Sequence, residues 1–140
     1  MDILIVEDSR FNAFCLKELI LQAIYPEPSV SLAHDSASAI TLLNQQSYSF
    51  LILDGDLGAS SPEGNGPALA AKIFSNDEYK CAIIPWTNSN ILQRAFKHVF
   101  EQYQKPFLCW PKIVDAIFIS QSLQPLMKPQ WHSAYFATTL

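Results

Sequence analysis

The 140-residue sequence predicts an α/β fold, a doubly wound parallel sheet of five strands flanked by helices. Three observations carry this. Short, wholly apolar runs recur along the chain. Each stops abruptly at a polar or acidic residue, and the intervals between them are long enough for helices and carry helical spacing. Strands that are apolar at every position are buried on both faces, the condition of a parallel sheet covered by helices.

Ile3-Leu4-Ile5-Val6 is the first strand, ending in Glu7-Asp8-Ser9. Ser9 is placed to cap a helix over 10–24, in which Phe11, Phe14, Cys15, Leu19 and Ala23 share a face. Tyr25-Pro26-Glu27-Pro28 stops it. Ser29 to Ala33 alternates as a second strand, and Ser36 begins a second helix through Leu43. Phe50-Leu51-Ile52-Leu53 is the third strand and ends in Asp54. Four glycines and Pro62 between Gly55 and Gly66 mark a loop, and Pro67 starts a third helix running to about Phe74. Cys81-Ala82-Ile83-Ile84 is the fourth strand, running into Pro85-Trp86-Thr87. A fourth helix begins near Ser89, and Pro111 is expected to open a fifth that reaches about Leu123. Residues 1–124 thus form one domain, and 125–140, with Trp131, Tyr135 and Phe136, a C-terminal tail.

Composition narrows the function. A hydrophobic fraction of 49% supports a core, and the formal charge of −4 comes without a basic run, which argues against a nucleic-acid surface. Cys15, Cys81 and Cys109 are odd in number and far apart, as expected of small hydrophobes in a reducing cytoplasm rather than a disulfide framework. No stretch approaches the roughly 20 apolar residues of a membrane span. His34, His98 and His132 lack metal-ligand spacing. A cytoplasmic protein is expected.

In parallel α/β sheets, ligands sit outside the carboxyl ends of the strands. The residues that follow the strands are Glu7 and Asp8, then Asp54, then Thr87. Three carboxylates at one edge repel one another unless a cation or a raised pKa neutralises them. With oxygen donors alone, the expected cation is Mg²⁺, and a carboxylate beside it is a candidate phosphoryl acceptor.

The motifs MDILIVEDS, LILDGDLG, IIPWTNS and QKPF, in that order, resemble the receiver domain of two-component response regulators, of the CheY-like superfamily, across residues 2 to 122. The resemblance implies a flavodoxin-like fold in which Asp8, with Glu7 through water, holds Mg²⁺. It implies that Asp54 accepts the phosphoryl group and that the main-chain carbonyl of Asp56 is a further metal ligand. Thr87 would bond a phosphoryl oxygen, and Lys105, in the Lys-Pro pair, would neutralise the phosphate. The donor would be a phosphohistidine on a sensor histidine kinase or a phosphotransfer protein, with a homodimer through the fourth and fifth helices as a further implied contact.

The chain departs from that pattern in its second half. Asn88 stands where the family has a small residue after the Thr and should crowd the site, and the loop after Asp54 is lengthened. From Thr87 to Lys105 there are 105 − 87 = 18 positions, short for a helix, a turn and a strand. Leu92, Ala95, Phe96, Val99, Phe100 and Tyr103 keep helical spacing almost to the lysine. Either the fourth helix is cut short and residues 99–104 form an abbreviated fifth strand, or that strand is displaced or missing. The family's switch aromatic would fall at Gln102, with Tyr103 one place off. The leading expectation is a phosphorylated signalling receiver that is not an enzyme in the usual sense. Two alternatives are a degenerate receiver acting as a phosphorylation-independent interaction module and a phosphatase using Asp54 and Asp56.

Overall fold

A computed structural model describes residues 1–59 and 64–126. Four parallel strands lie in the order β2-β1-β3-β4: β1 Asp2–Val6, β2 Ser29–Ala33, β3 Phe50–Asp54 and β4 Ala82–Trp86. The helices are α1 Arg10–Ala23, α2 Ser36–Gln45, α3 Gly66–Phe74, α4 Asn90–Gln102 and α5 Ala116–Leu126. The tail expected beyond 124 lies outside the described residues from 127 onward.

Alternation along each strand divides the core in two. Leu4, Val6, Leu51, Leu53 and Ile83 point to the face covered by α2, α3 and α4. Ile3, Ile5, Phe50, Ile52 and Ile84 point to the face covered by α1 and α5. Both faces of β1 and β3 are therefore buried, which is why those strands read as unbroken apolar runs. The sheet is doubly wound, as the sequence predicts.

Caps fix the helix starts. The Ser9 and Ser89 hydroxyls accept from the N–H groups of Asn12 and Leu92, each at 3.2 Å. The Asp35 carboxylate accepts from Ser38 at 2.7 Å, and that hydrogen-bonding holds its pKa below the usual value. Gly66 permits α3 to begin against the end of β3. A Cβ there would collide with the main-chain oxygen of Asp54 and lie 2.7 Å from the Phe96 ring.

Of the two expectations for the fifth strand, the displaced or missing one holds, whereas the start of the fifth helix differs from expectation. α4 is not cut short. It runs to Gln102 and ends in a turn in which Lys105 N–H donates to the Phe100 carbonyl at 2.8 Å, with Gln104 left-handed at φ 56°. The chain then returns along residues 106–109, and pairing with β4 is confined to one bridge, Trp86 with Trp110. Trp110 N–H donates to the Pro85 carbonyl at 2.8 Å, and Thr87 N–H donates to the Trp110 carbonyl at 3.0 Å. In a parallel ladder, the N–H and C=O of one residue face the same neighbour. Pro85 therefore presents no donor toward the returning segment, and the ladder stops. Pro111 does not open α5 either. Asp115 caps that helix, accepting from Phe118 N–H at 2.7 Å, while Pro111 and Lys112 lie in the preceding loop.

Two stability measurements check this packing. Gly66→Ala is expected to lower the unfolding free energy by roughly 2–3 kcal/mol, because backbone must move. Gly55→Ala, whose new Cβ has the Leu92 side chain rather than backbone as its nearest neighbour, should cost less. Asp35→Ala should cost about 1 kcal/mol in urea titrations at neutral pH through loss of the α2 cap.

Candidate functional site

The register of β1, β3 and β4 sets Val6 beside Leu53 and Asp54 beside Trp86. Glu7, Asp54 and Thr87 are consequently carried to one edge, and all three are buried, at 2%, 5% and 3% exposure. Asp8, next in the chain, is exposed. Carboxylate oxygens of Glu7, Asp8 and Asp54 lie within 4.8 Å of one another. No His or Cys among the described residues joins that group, so the donor set is the all-oxygen one that suits a hard divalent cation such as Mg²⁺.

Sequence reasoning placed the wrong lysine in the site. Lys112 Nζ lies 2.9 Å from Asp54 Oδ1 and 3.2 Å from Glu7 Oε2, bridging the two buried carboxylates. Lys105 is elsewhere, with its ammonium 5.7 Å from the ring centroid of Phe74, the last residue of α3. α3 starts beside Asp54, where Gly66 N–H donates to the Gly55 carbonyl, and its last turn lies a helix length away. The physical reason is the full length of α4: the chain at residue 105 is still at the far end of the sheet. It must run back through 106–109 before a lysine can reach Asp54. From Thr87 to Lys112 there are 112 − 87 = 25 positions, enough for the helix and the return.

Burial, then hydrogen bonding and repulsion from Asp54, push the Glu7 carboxyl up to about 7, while Lys112 and Asn12 oppose the shift. Asn12, one turn into α1, donates from Nδ2 to Glu7 Oε1 at 3.1 Å. On the other side of the site, Gly58 adopts φ +68°, and a Cβ there would lie 3.0 Å from Asp8 Oδ2. The Asp56 carboxylate faces its own turn, accepting from Gly58 N–H at 2.9 Å. Thr87 Oγ1 accepts from Ser89 N–H at 3.1 Å, which leaves its own hydrogen to donate.

Asn88, expected to crowd the site, is tied to the lysine's loop. Its Oδ1 accepts from the Lys112 main-chain N–H at 2.9 Å, tying the lysine's loop to the end of β4. Neither Gln102 nor Tyr103 comes near Thr87; Tyr103 packs on Phe74, with ring centroids 6.0 Å apart. Three residues before Lys112 stands Cys109, not an aromatic, with Sγ 4.0 Å from the Thr87 carbonyl oxygen. Asn12 and Lys112 are the site residues that sequence reasoning missed, together with the contact between Asn88 and Lys112. The usable signal for Lys112 was the unbroken helical spacing from Leu92 to Tyr103, which leaves no room for a strand before Lys105.

No protein-family model matches the sequence, and no curated protein matches it. Solved structures do. The signal receiver domain of an HD domain-containing protein from Pseudomonas fluorescens Pf-5 superposes with a TM-score of 0.73 at 20% identity, covering 94% of this chain and 89% of that one. A two-component response regulator from Clostridium difficile gives 0.71 at 18%, covering 93% and 98%. A CheY-like response regulator receiver domain from Methylobacillus flagellatus gives 0.70 at 20%, covering 90% and 98%. With its doubly wound parallel sheet and acidic edge, the chain has the fold of response-regulator receiver domains.

Proposed function

We propose that this chain is a signalling receiver that accepts a phosphoryl group on Asp54 and acts through protein contacts rather than by turnover. One observation carries the reading most: Glu7, Asp8 and Asp54 gather at the strand tips with a lysine ammonium already among them. A fold keeps buried like charges together, at a cost of a few kcal/mol, where the arrangement serves a ligand. Receiver folds in the structural neighbours supply the context.

Glu7, Asp8, Asp54 and the Asp56 carbonyl are the residues that would hold Mg²⁺, and bound there it would neutralise charge on a transferring phosphoryl group. The roles of the chain's own residues follow from their positions. Asp54 is the nucleophile. Lys112, already on Asp54 Oδ1, is aimed at the negative charge that the acceptor gains. Thr87 has a hydroxyl hydrogen left to donate to a phosphoryl oxygen. Asn12 fixes one oxygen of Glu7. The donor is a phosphohistidine protein, and Phe11 and Ile113, 75% and 89% exposed, flank the lysine as the apolar surface such a protein would cover. Among the described residues no helix is long and apolar enough to cross a membrane.

A second reading has its own support. Lys112 bridges Asp54 and Glu7 and so neutralises much of the cluster by itself, as a phosphorylation-independent interaction module would require. Incubation with acetyl phosphate and Mg²⁺, followed by intact-mass measurement, separates the two. The acceptor reading expects a mass gain of one phosphoryl group that Asp54→Asn abolishes. Lys112→Ala should slow the gain at least roughly tenfold, while Lys105→Ala stays near wild type. No gain in the wild type would favour the interaction module.

A further inference from the structure

With the fifth strand reduced to one bridge, backbone pairing alone holds Lys112 poorly, two residues past the last rung. Three side-chain contacts from the tip of β4 take over. The Asn88 carboxamide oxygen accepts from the Lys112 N–H at 2.9 Å. The indole Nε1–H of Trp86 donates to the Lys112 carbonyl at 3.3 Å. The face of the same indole lies under the ammonium, 3.8 Å from Nζ to the ring centroid. One residue is thus gripped at its donor, its acceptor and its charge. Both gripping residues flank Thr87, and Trp86 is the register partner of Asp54. The lysine is therefore referenced directly to the strand beside the acceptor.

From this geometry we infer that Trp86 and Asn88 are positioning residues for Lys112, replacing the missing strand pairing in aiming the ammonium at Asp54 and Glu7. The ring attracts the cation electrostatically without offering it a hydrogen bond, so Nζ keeps its donors for the two carboxylates. The consequence for phosphorylation rests on the acceptor reading above; the grip on Lys112 does not.

The test is amine labelling of the full chain with acetic anhydride, read lysine by lysine by mass spectrometry. Asn88 is exposed, so Asn88→Ala leaves the core intact. It should speed labelling of Lys112 about two- to fivefold, while Lys17 and Lys72 label at unchanged rates. Asn88→Asp, which retains the acceptor oxygen, should restore the wild-type rate. Trp86→Leu should exceed the effect of Asn88→Ala, and Trp86→Phe, which keeps a ring face but not the indole N–H, should fall between Trp86→Leu and wild type. Labelling of Lys112 that does not change in Asn88→Ala, or that changes equally in Asn88→Asp, overturns the inference.

A second arm measures the rate of phosphorylation by acetyl phosphate for Asn88→Ala in the wild-type and Lys112→Ala backgrounds. A slowing seen only when Lys112 is present supports positioning through the lysine, and equal slowing in both backgrounds overturns it. If the labelling pattern holds but the wild type takes up no phosphoryl group, the grip on Lys112 stands and the acceptor reading falls.

Discussion

The dominant constraint on this fold is the meeting of Glu7 and Asp54, two buried carboxylates, at the edge of a sheet whose interior offers them little solvent. Asp8 adds a third negative group within the same few ångströms. Uncompensated charge in such a place is costly, so the surrounding chain is arranged to supply compensation. Lys112 comes from the loop before α5 to touch both buried groups, Asn12 comes from α1, and Glu7 holds its proton up to about neutrality.

The path of the chain after α4 follows from that requirement together with one residue, Pro85. A full fifth strand would carry a lysine to the site by backbone pairing alone. Pro85 takes away the donor that a second rung needs, so only Trp110 pairs, at 0% exposure, with its indole donating to Ser122 of α5. Beyond that anchor, the lysine's position depends on Trp86 and Asn88. Side chains at the end of β4 thus do what strand pairing does in a complete five-stranded sheet.

Much of this architecture was legible in the sequence because burial writes it there directly. Strands covered on both faces must be apolar throughout, and the residues that end them must be those at the edge, so Glu7, Asp8, Asp54 and Thr87 could be placed together before any coordinates. Ser9 and Ser89 announced their helices for an equally local reason. Lys112 was hidden because its place is set by tertiary contacts. The Lys105-Pro106 pair matched a familiar motif, yet the decisive matter was where α4 ends. That end uses Gln104 in a left-handed conformation, where a glycine would have signalled the stop. Pro111 likewise resembled the first residue of a helix. Its neighbour Lys112 is instead bound at N–H and C=O by Asn88 and Trp86, contacts that no local pattern displays.

The central claim is electrostatic: the acidic edge is stable because a cation sits in it, Lys112 from within or a divalent ion from outside. The most direct measurement is the melting temperature of Lys112→Met against wild type, in EDTA and in excess Mg²⁺. The account predicts that the variant melts well below wild type in EDTA, since its buried carboxylates lose their partner, and that Mg²⁺ recovers a large part of the difference. A variant that melts at or above wild type in EDTA, with neither protein responding to Mg²⁺, would contradict it.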